Sequence, residues 1–182
     1  MADRTWADDP PAIGTRAALD GAEITVTQLR NLWLIAGDVD AFATAHPARE
    51  LGLGGELCPD DSLLIRLGRD RSLWRSGANE PLASGWQPGG WAALPVSDGW
   101  TAFTLTGSAA EHHLRRFIAL DLLDGSRSAA AVFGERNAVI LRDGAGWQIW
   151  CSALDAWSLW HSFLPGRRSS PWPIPINPRS SS

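Results

Sequence analysis

The chain has 182 residues, 45% of them apolar and 20% charged, with a net charge of −4. That length supports one ordinary domain, or two small halves sharing a core, and the acidic balance lacks the basic excess that a phosphate backbone requires, so no nucleic-acid partner is expected. Every basic residue is arginine and tyrosine is absent, which removes the Schiff-base lysine, the P-loop lysine and a common proton donor at a stroke.

Met1 to Pro11 is acidic and polar, the wrong pattern for a secretory signal. No run of about 18 apolar residues exists to cross a membrane, so a soluble, cytoplasmic protein with no membrane partner is expected. Residues 1–22 read as an N-terminal tail. Glu23 to Leu29 and Leu32 to Ala36 read as strands, Gly37-Asp38 as a turn and helix cap, and Val39, Phe42 and Ala43 as the start of an apolar helical stripe that Pro47 breaks or restarts. Ser62 to Leu67 and Ser72 to Arg75 form a hairpin pattern around Gly68-Arg69-Asp70-Arg71.

Gly77 to Gly90 is a Gly-, Pro- and Ser-rich connection. Beyond it, Trp100 to Thr106 alternates with period two, Gly107 ends the strand, and Ser108 with Glu111 spells a capping box. The helix that follows carries Ala110, Leu114, Phe117 and Ile118 on one stripe, and Leu120 to Leu123 leads into an Asp124-Gly125 turn. Ser128 to Phe133, Ala138 to Arg142 and Trp147 to Cys151 then read as an antiparallel meander. Ser152 and Asp155 open a last helix with Ala156, Trp157, Trp160, Phe163 and Leu164 on one face, stopped by Pro165-Gly166.

Strand, glycine, cap, helix and hairpin occur in the same order twice. The expected fold is therefore α+β: a domain over residues 23–164 built from two related β-α-β-β(-β-α) halves, about 23–76 and 91–164, with antiparallel sheets packed against helices. Residues 165–182 hold Pro171, Pro173, Pro175 and Pro178 around Trp172 and Ile174, an extended arm.

A search for chemistry assembles no catalytic, cofactor-binding or metal-binding residue set. Gly52-Leu53-Gly54 begins like a dinucleotide fingerprint, but the third glycine would fall at Leu57 and no helix follows. His112 and His113 are helical neighbours, which point about 100° apart and cannot hold one metal; both read as partly solvent-facing. His46 and His161 read as packed or capping residues. Asp8-Asp9, Asp60-Asp61, Asp121 and Asp124 read as caps and turns, and Cys58 and Cys151 as buried thiols. Tryptophan occurs 11 times. Trp86, Trp91 and Trp172, lying in or beside Gly/Pro-rich segments, and the arginines Arg167 and Arg168 are the candidate partner contacts, since interface cores favour Trp and Arg.

The run Ser97 to Glu111, continuing to Ala119-Leu120-Asp121-Leu122, resembles the gamma subunit of heterotetrameric sarcosine oxidase. The hairpin strands and the segment Trp147 to Leu164 resemble that family's closing part, and Leu32 to Leu53 its N-terminal half. The resemblance implies an aminomethyltransferase/folate-binding-like fold in a noncatalytic subunit that supports assembly of alpha, beta and delta partners. It implies FAD, FMN, NAD, tetrahydrofolate and zinc on those partners and none on this chain. The complex would demethylate sarcosine or a related N-methyl amino acid oxidatively. Arginine-rich Leu63 to Ser76, which keeps only Trp74 of the family's tryptophan-rich segment, leaves the choice of N-methyl amine open. The alternative is a stand-alone folate-binding protein of one-carbon metabolism with the same fold.

Overall fold

The computed structural model describes residues 11–58, 61–77, 82–118, 126 and 128–164. Twelve strands and three helices follow one another as β1 (Arg16–Leu19), β2 (Ala22–Thr27), β3 (Leu32–Gly37), α1 (Val39–Ala45), β4 (Arg49–Leu51), β5 (Leu63–Arg66), β6 (Arg71–Arg75), β7 (Gly85–Trp86), β8 (Trp91–Pro95), β9 (Trp100–Thr106), α2 (Ala110–Arg115), β10 (Ala130–Phe133), β11 (Arg136–Asp143), β12 (Gly146–Ser152) and α3 (Ala153–Phe163). They form two six-stranded sheets, ordered β1-β2-β9-β12-β11-β10 and β7-β8-β3-β6-β5-β4. We call these the first and second sheet.

Strand period two sorts the apolar residues into layers. Leu32, Leu63, Ile65 and Leu73 of the second sheet meet Ala102, Val139, Leu141 and Trp150 of the first in one buried cluster, which is the contact between the sheets. The alternate residues of the first sheet, Phe103, Leu105, Ile140, Trp147 and Ile149, pack outward with Leu114 of α2 and Leu159, Trp160 and Phe163 of α3. Those of the second sheet, Ile35, Leu64, Trp74 and Ala93, pack outward with Val39 and Phe42 of α1. The order of layers is helix, sheet, sheet, helix. A one-residue slip of any central strand would exchange these clusters, so burial on both faces fixes the register.

The two sheets correspond strand for strand. Each unit of the chain runs hairpin, strand, helix, three strands: β1 to β6 with α1, then β7 to β12 with α2. The hairpins are exchanged, because β2 pairs with β9 of the second unit whereas β8 pairs with β3 of the first. The bodies differ in one pairing: β4–β5 is parallel and β10–β11 antiparallel.

At each exchange a glycine meets a backbone. Gly37 ends β3 at φ +98°, and a Cβ there would stand 2.5 Å from the Gly90 carbonyl oxygen. Gly107 ends β9 at φ +109°, and its Cβ would stand 2.6 Å from the Gly21 carbonyl oxygen. Only glycine fits both the positive φ and the approach. The same carbonyls seat the helices: Asp38 N–H donates to Gly90 at 3.0 Å, and Ala109 N–H to Gly21 at 3.0 Å.

One side of the sandwich is stitched shut. Gly54 N–H donates to the Ile140 carbonyl at 2.9 Å and Leu57 N–H to Arg142 at 2.8 Å, while Ala129 N–H reaches Arg66 of the second sheet at 3.1 Å. Glu56 adds an acceptor for Gly144 N–H at 2.8 Å. The opposite side, where the two hairpins lie, has no such bond among the described residues.

Several expectations are corrected. Part of the supposed tail, Arg16–Leu19, is a sheet strand. Residues 91–95 belong to the second unit of the chain but pair, as β8, with β3 of the first. Of the two alternatives at Pro47 the break is the one found, α1 ending at its C-cap His46. The capping box does not form: α2 has no side-chain cap, Ser108 Oγ turns to Gly21 O at 3.5 Å, and Glu111 pairs with Arg115 at 2.8 Å. The helix start is docked on the β1–β2 turn, and that contact overrides the local cap. The Leu120–Leu123 segment, the Asp124-Gly125 turn and the C-terminal arm lie outside the described residues.

The glycine crossings are testable. Gly37→Ala or Gly107→Ala should each cost roughly 2 to 3 kcal/mol in urea unfolding. Gly99→Ala, where a Cβ meets nothing within 4 Å, should stay within about 0.5 kcal/mol of wild type. Equal effects at all three positions would refute the close-approach argument.

Candidate functional site

The β7–β8 hairpin forms one edge of the second sheet, and its turn is held by Gln87 N–H to Trp91 O at 2.7 Å and Gly90 N–H to Gln87 O at 3.1 Å. Trp86 and Trp91 lie on opposite faces of it. Trp86 stands opposite Ala92, which stands opposite Ala36; one row away on the same face Leu94 stands opposite Leu34, and Leu34 opposite Leu73. This is the face turned toward the first sheet, yet Trp86 is 71% and Leu94 47% exposed. Trp86 is the only exposed tryptophan among the described residues.

Trp91 points the other way and is 8% exposed. Its ring meets Phe42 edge-on at 5.0 Å and His46 at 5.6 Å. The expected partner contact at Trp91 is thereby corrected to a place in the chain's own core, under α1. Trp172, Arg167 and Arg168 lie outside the described residues.

His46, His113, His161 and Arg66 are occupied with local structure. His113 is 7% exposed, its Nε2 lying 2.8 Å from the Asp20 carbonyl oxygen; only His112 of the pair faces solvent, which corrects the expectation of two solvent-side rings. His46 stacks on Phe42 at 4.8 Å, and His161 Nδ1 lies 2.8 Å from the Trp157 carbonyl. Arg66 joins Asp40 at 2.5 Å and Glu50 at 2.7 Å, and the hydrogen bond to Asp40, then that to Glu50, holds its pKa above the ordinary guanidinium value. Burial pushes Arg75 below that value, against the attraction of Asp143 and Asp61.

A shallow open depression of about 400 Å³ is lined by Pro47, Ala48, Arg49, Asp61 and Ser62. Its cation is committed: Arg49 donates to Asp61 at 3.1 Å and to the Glu56 carbonyl at 2.6 Å. No group of three His, Cys, Asp or Glu side chains among the described residues could hold a metal ion. Asp8-Asp9, Asp60, Asp121 and Asp124 lie outside those residues. No described helix is long and apolar enough to cross a membrane.

The cysteines part company. Cys151 is buried in the first sheet, and burial, helped by Asp155, pushes its thiol up to about 12. Cys58 is exposed, not buried as expected; it sits in the loop after Leu57, where its carbonyl accepts from Arg75 at 2.8 Å.

No family model and no curated protein matches the chain. Among solved structures it is similar to a chain of the heterotetrameric sarcosine oxidase from Corynebacterium sp. U-96, solved in complex with pyrrole 2-carboxylate. The likeness has a TM-score of 0.52 and covers 77% of this chain and 80% of that one, at 16% identity. At that identity the likeness is one of fold. The two shares are nearly equal, so the chains are of similar length.

Two measurements check these placements. Trp91→Ala should destabilise by roughly 3 kcal/mol or more, as loss of a buried indole does, while Trp86→Ala stays within about 0.5 kcal/mol. A thiol reagent should titrate one cysteine in the native protein and both in urea. Because the folded Cys151 pKa lies above its unfolded value of 9.0, the thiol's contribution to stability is complete below pH 9 and falls as pH rises toward 12. Cys151→Ala should flatten that alkaline loss; an unchanged slope would contradict the assignment.

Proposed function

We propose that this chain is a noncatalytic, gamma-type subunit of a flavoenzyme of the heterotetrameric sarcosine oxidase type. The complex oxidises an N-methyl amino acid, sarcosine or a relative of it, transferring hydride from the N-methyl amine to flavin. The resulting one-carbon unit can pass to tetrahydrofolate. In this reading FAD, FMN, NAD, tetrahydrofolate and zinc belong to the alpha, beta and delta partners, and this chain contributes surface and rigidity.

The observation that carries the reading is the fold likeness to a chain of similar length from such a complex. The same likeness and the duplicated sheets support an aminomethyltransferase/folate-binding-like architecture. Several of the described arginines and carboxylates fit an assembly role, because Arg49, Arg66, Arg115, Asp40, Glu50, Glu111 and Asp61 are engaged with one another. A site for hydride or one-carbon chemistry needs such groups aimed at a shared substrate position.

Co-expression with the flavin-bearing chains should yield one stable complex that contains this protein in fixed proportion. Calorimetric titration of the isolated chain with tetrahydrofolate should give no saturable heat. A chain that stays alone beside those subunits and binds tetrahydrofolate saturably would replace this reading with the stand-alone folate-binding one.

A further inference from the structure

The exchanged hairpins place two equivalent surfaces in one molecule, and their chemistry differs. Aligning Gly37 with Gly107, which end β3 and β9 in the same way, pairs Ala36 with Thr106, Leu34 with Thr104, Ala92 with Glu23, Leu94 with Thr25, Trp86 with Ala18 and Leu73 with Gln148. On the first sheet this face is polar. Thr27 and Thr104 hydroxyls lie 3.4 Å apart, Gln148 donates to Asp143 at 2.8 Å, and Glu23 stands 3.8 Å from Arg16. On the second sheet the corresponding positions carry Trp, Leu and Ala.

Backbone geometry is shared, so it does not account for the difference. A face turned to water favours the polar set, and the first sheet shows that this fold accepts it. Exposed Trp86 and Leu94 share one face of the sheet with Ala92, Ala36 and Leu34, which stand beside them in the register, and such an apolar surface marks an interaction site. A solvent-exposed tryptophan, here on the edge strand β7, is the residue type that most often anchors such contacts.

Charge selects among occupants. Arg71 stands opposite Ala36 on this same face, exposed and in no ion pair among the described residues, and no carboxylate stands at a strand position of β7, β8, β3 or β6 on this face. A second copy docked face to face would bring two arginines into the contact with no counter-charge, which opposes self-association. A different chain with an apolar surface and a carboxylate set against Arg71 satisfies both features.

We propose that the face formed by Trp86, Leu94, Ala92, Ala36 and Arg71 docks a larger, flavin-bearing subunit through an apolar surface carrying such a carboxylate. This rests on the functional reading above and assigns its contact surface. The β7–β8 hairpin thereby braces the second sheet on one face with Trp91 and grips the partner on the other with Trp86.

The test uses the full chain co-expressed with the flavin-bearing subunits, comparing wild type, Trp86→Ser/Leu94→Thr, Arg71→Glu and, as control on the first sheet, Thr25→Ala. The double variant and Arg71→Glu should each weaken the complex about tenfold or more, with thermal midpoints of the isolated variants near that of wild type. Thr25→Ala should change nothing. A photo-crosslinking residue at position 86 should join this chain to a flavin-bearing one.

Undiminished assembly of the double variant, with wild type assembling, would overturn the surface while leaving the functional reading in place. Failure of wild type to assemble would overturn both. A wild-type chain that sediments alone as a dimer, and that Leu94→Thr returns to monomer, would assign the face to a second copy instead.

Discussion

Two backbone crossings hold this fold: Gly37 under the Gly90 carbonyl, and Gly107 under the Gly21 carbonyl. Each lets a hairpin from one unit lie against the first strand of the other, and each leaves its carbonyl to receive the amide that starts a helix. Because the carbonyl oxygen would sit 2.5 or 2.6 Å from any Cβ, an ordinary residue at either place would push the hairpin away and unseat the helix as well. The inter-sheet cluster around Trp150, Leu73 and Ile65 then closes over geometry that the crossings have set.

Much of this was legible. Trp100 to Thr106 alternates cleanly, the Asp143-Gly144 turn has its glycine at φ +57°, and the α3 stripe of Ala156, Trp160 and Phe163 is buried as a stripe should be. What local pattern did not reveal depends on partners distant in sequence. Arg16–Leu19 contains no β-branched residue, and Trp91–Pro95 ends in proline; each becomes a strand because another strand receives it. The capping box at Ser108 was a valid local signal that lost to a tertiary one, the Gly21 carbonyl offered to Ala109.

The candidate site shows the same limit more sharply. Trp86 and Trp91 share a setting of glycine and proline, and composition treats them alike. Their fates part because a hairpin turns one to each face, and only the pairing register says which face is already filled by Phe42 and His46. The cysteines divide for a similar reason: Cys151 is one residue of a central strand, whereas Cys58 sits in a stitching loop. The polar partner of the apolar face could not be found by sequence comparison either, because Thr104 and Leu34, or Thr25 and Leu94, are equivalent only through the exchanged pairing.

That exchange also governs how the chain tolerates interruption. A cut between β6 and β7 would leave an N-terminal piece whose hairpin belongs to the missing sheet, and a C-terminal piece with the same deficit. Neither would be a smaller version of the whole. The two would instead act as complementing fragments, each supplying the edge the other lacks, so the duplicated halves are repeats in pattern and a single cooperative unit in stability.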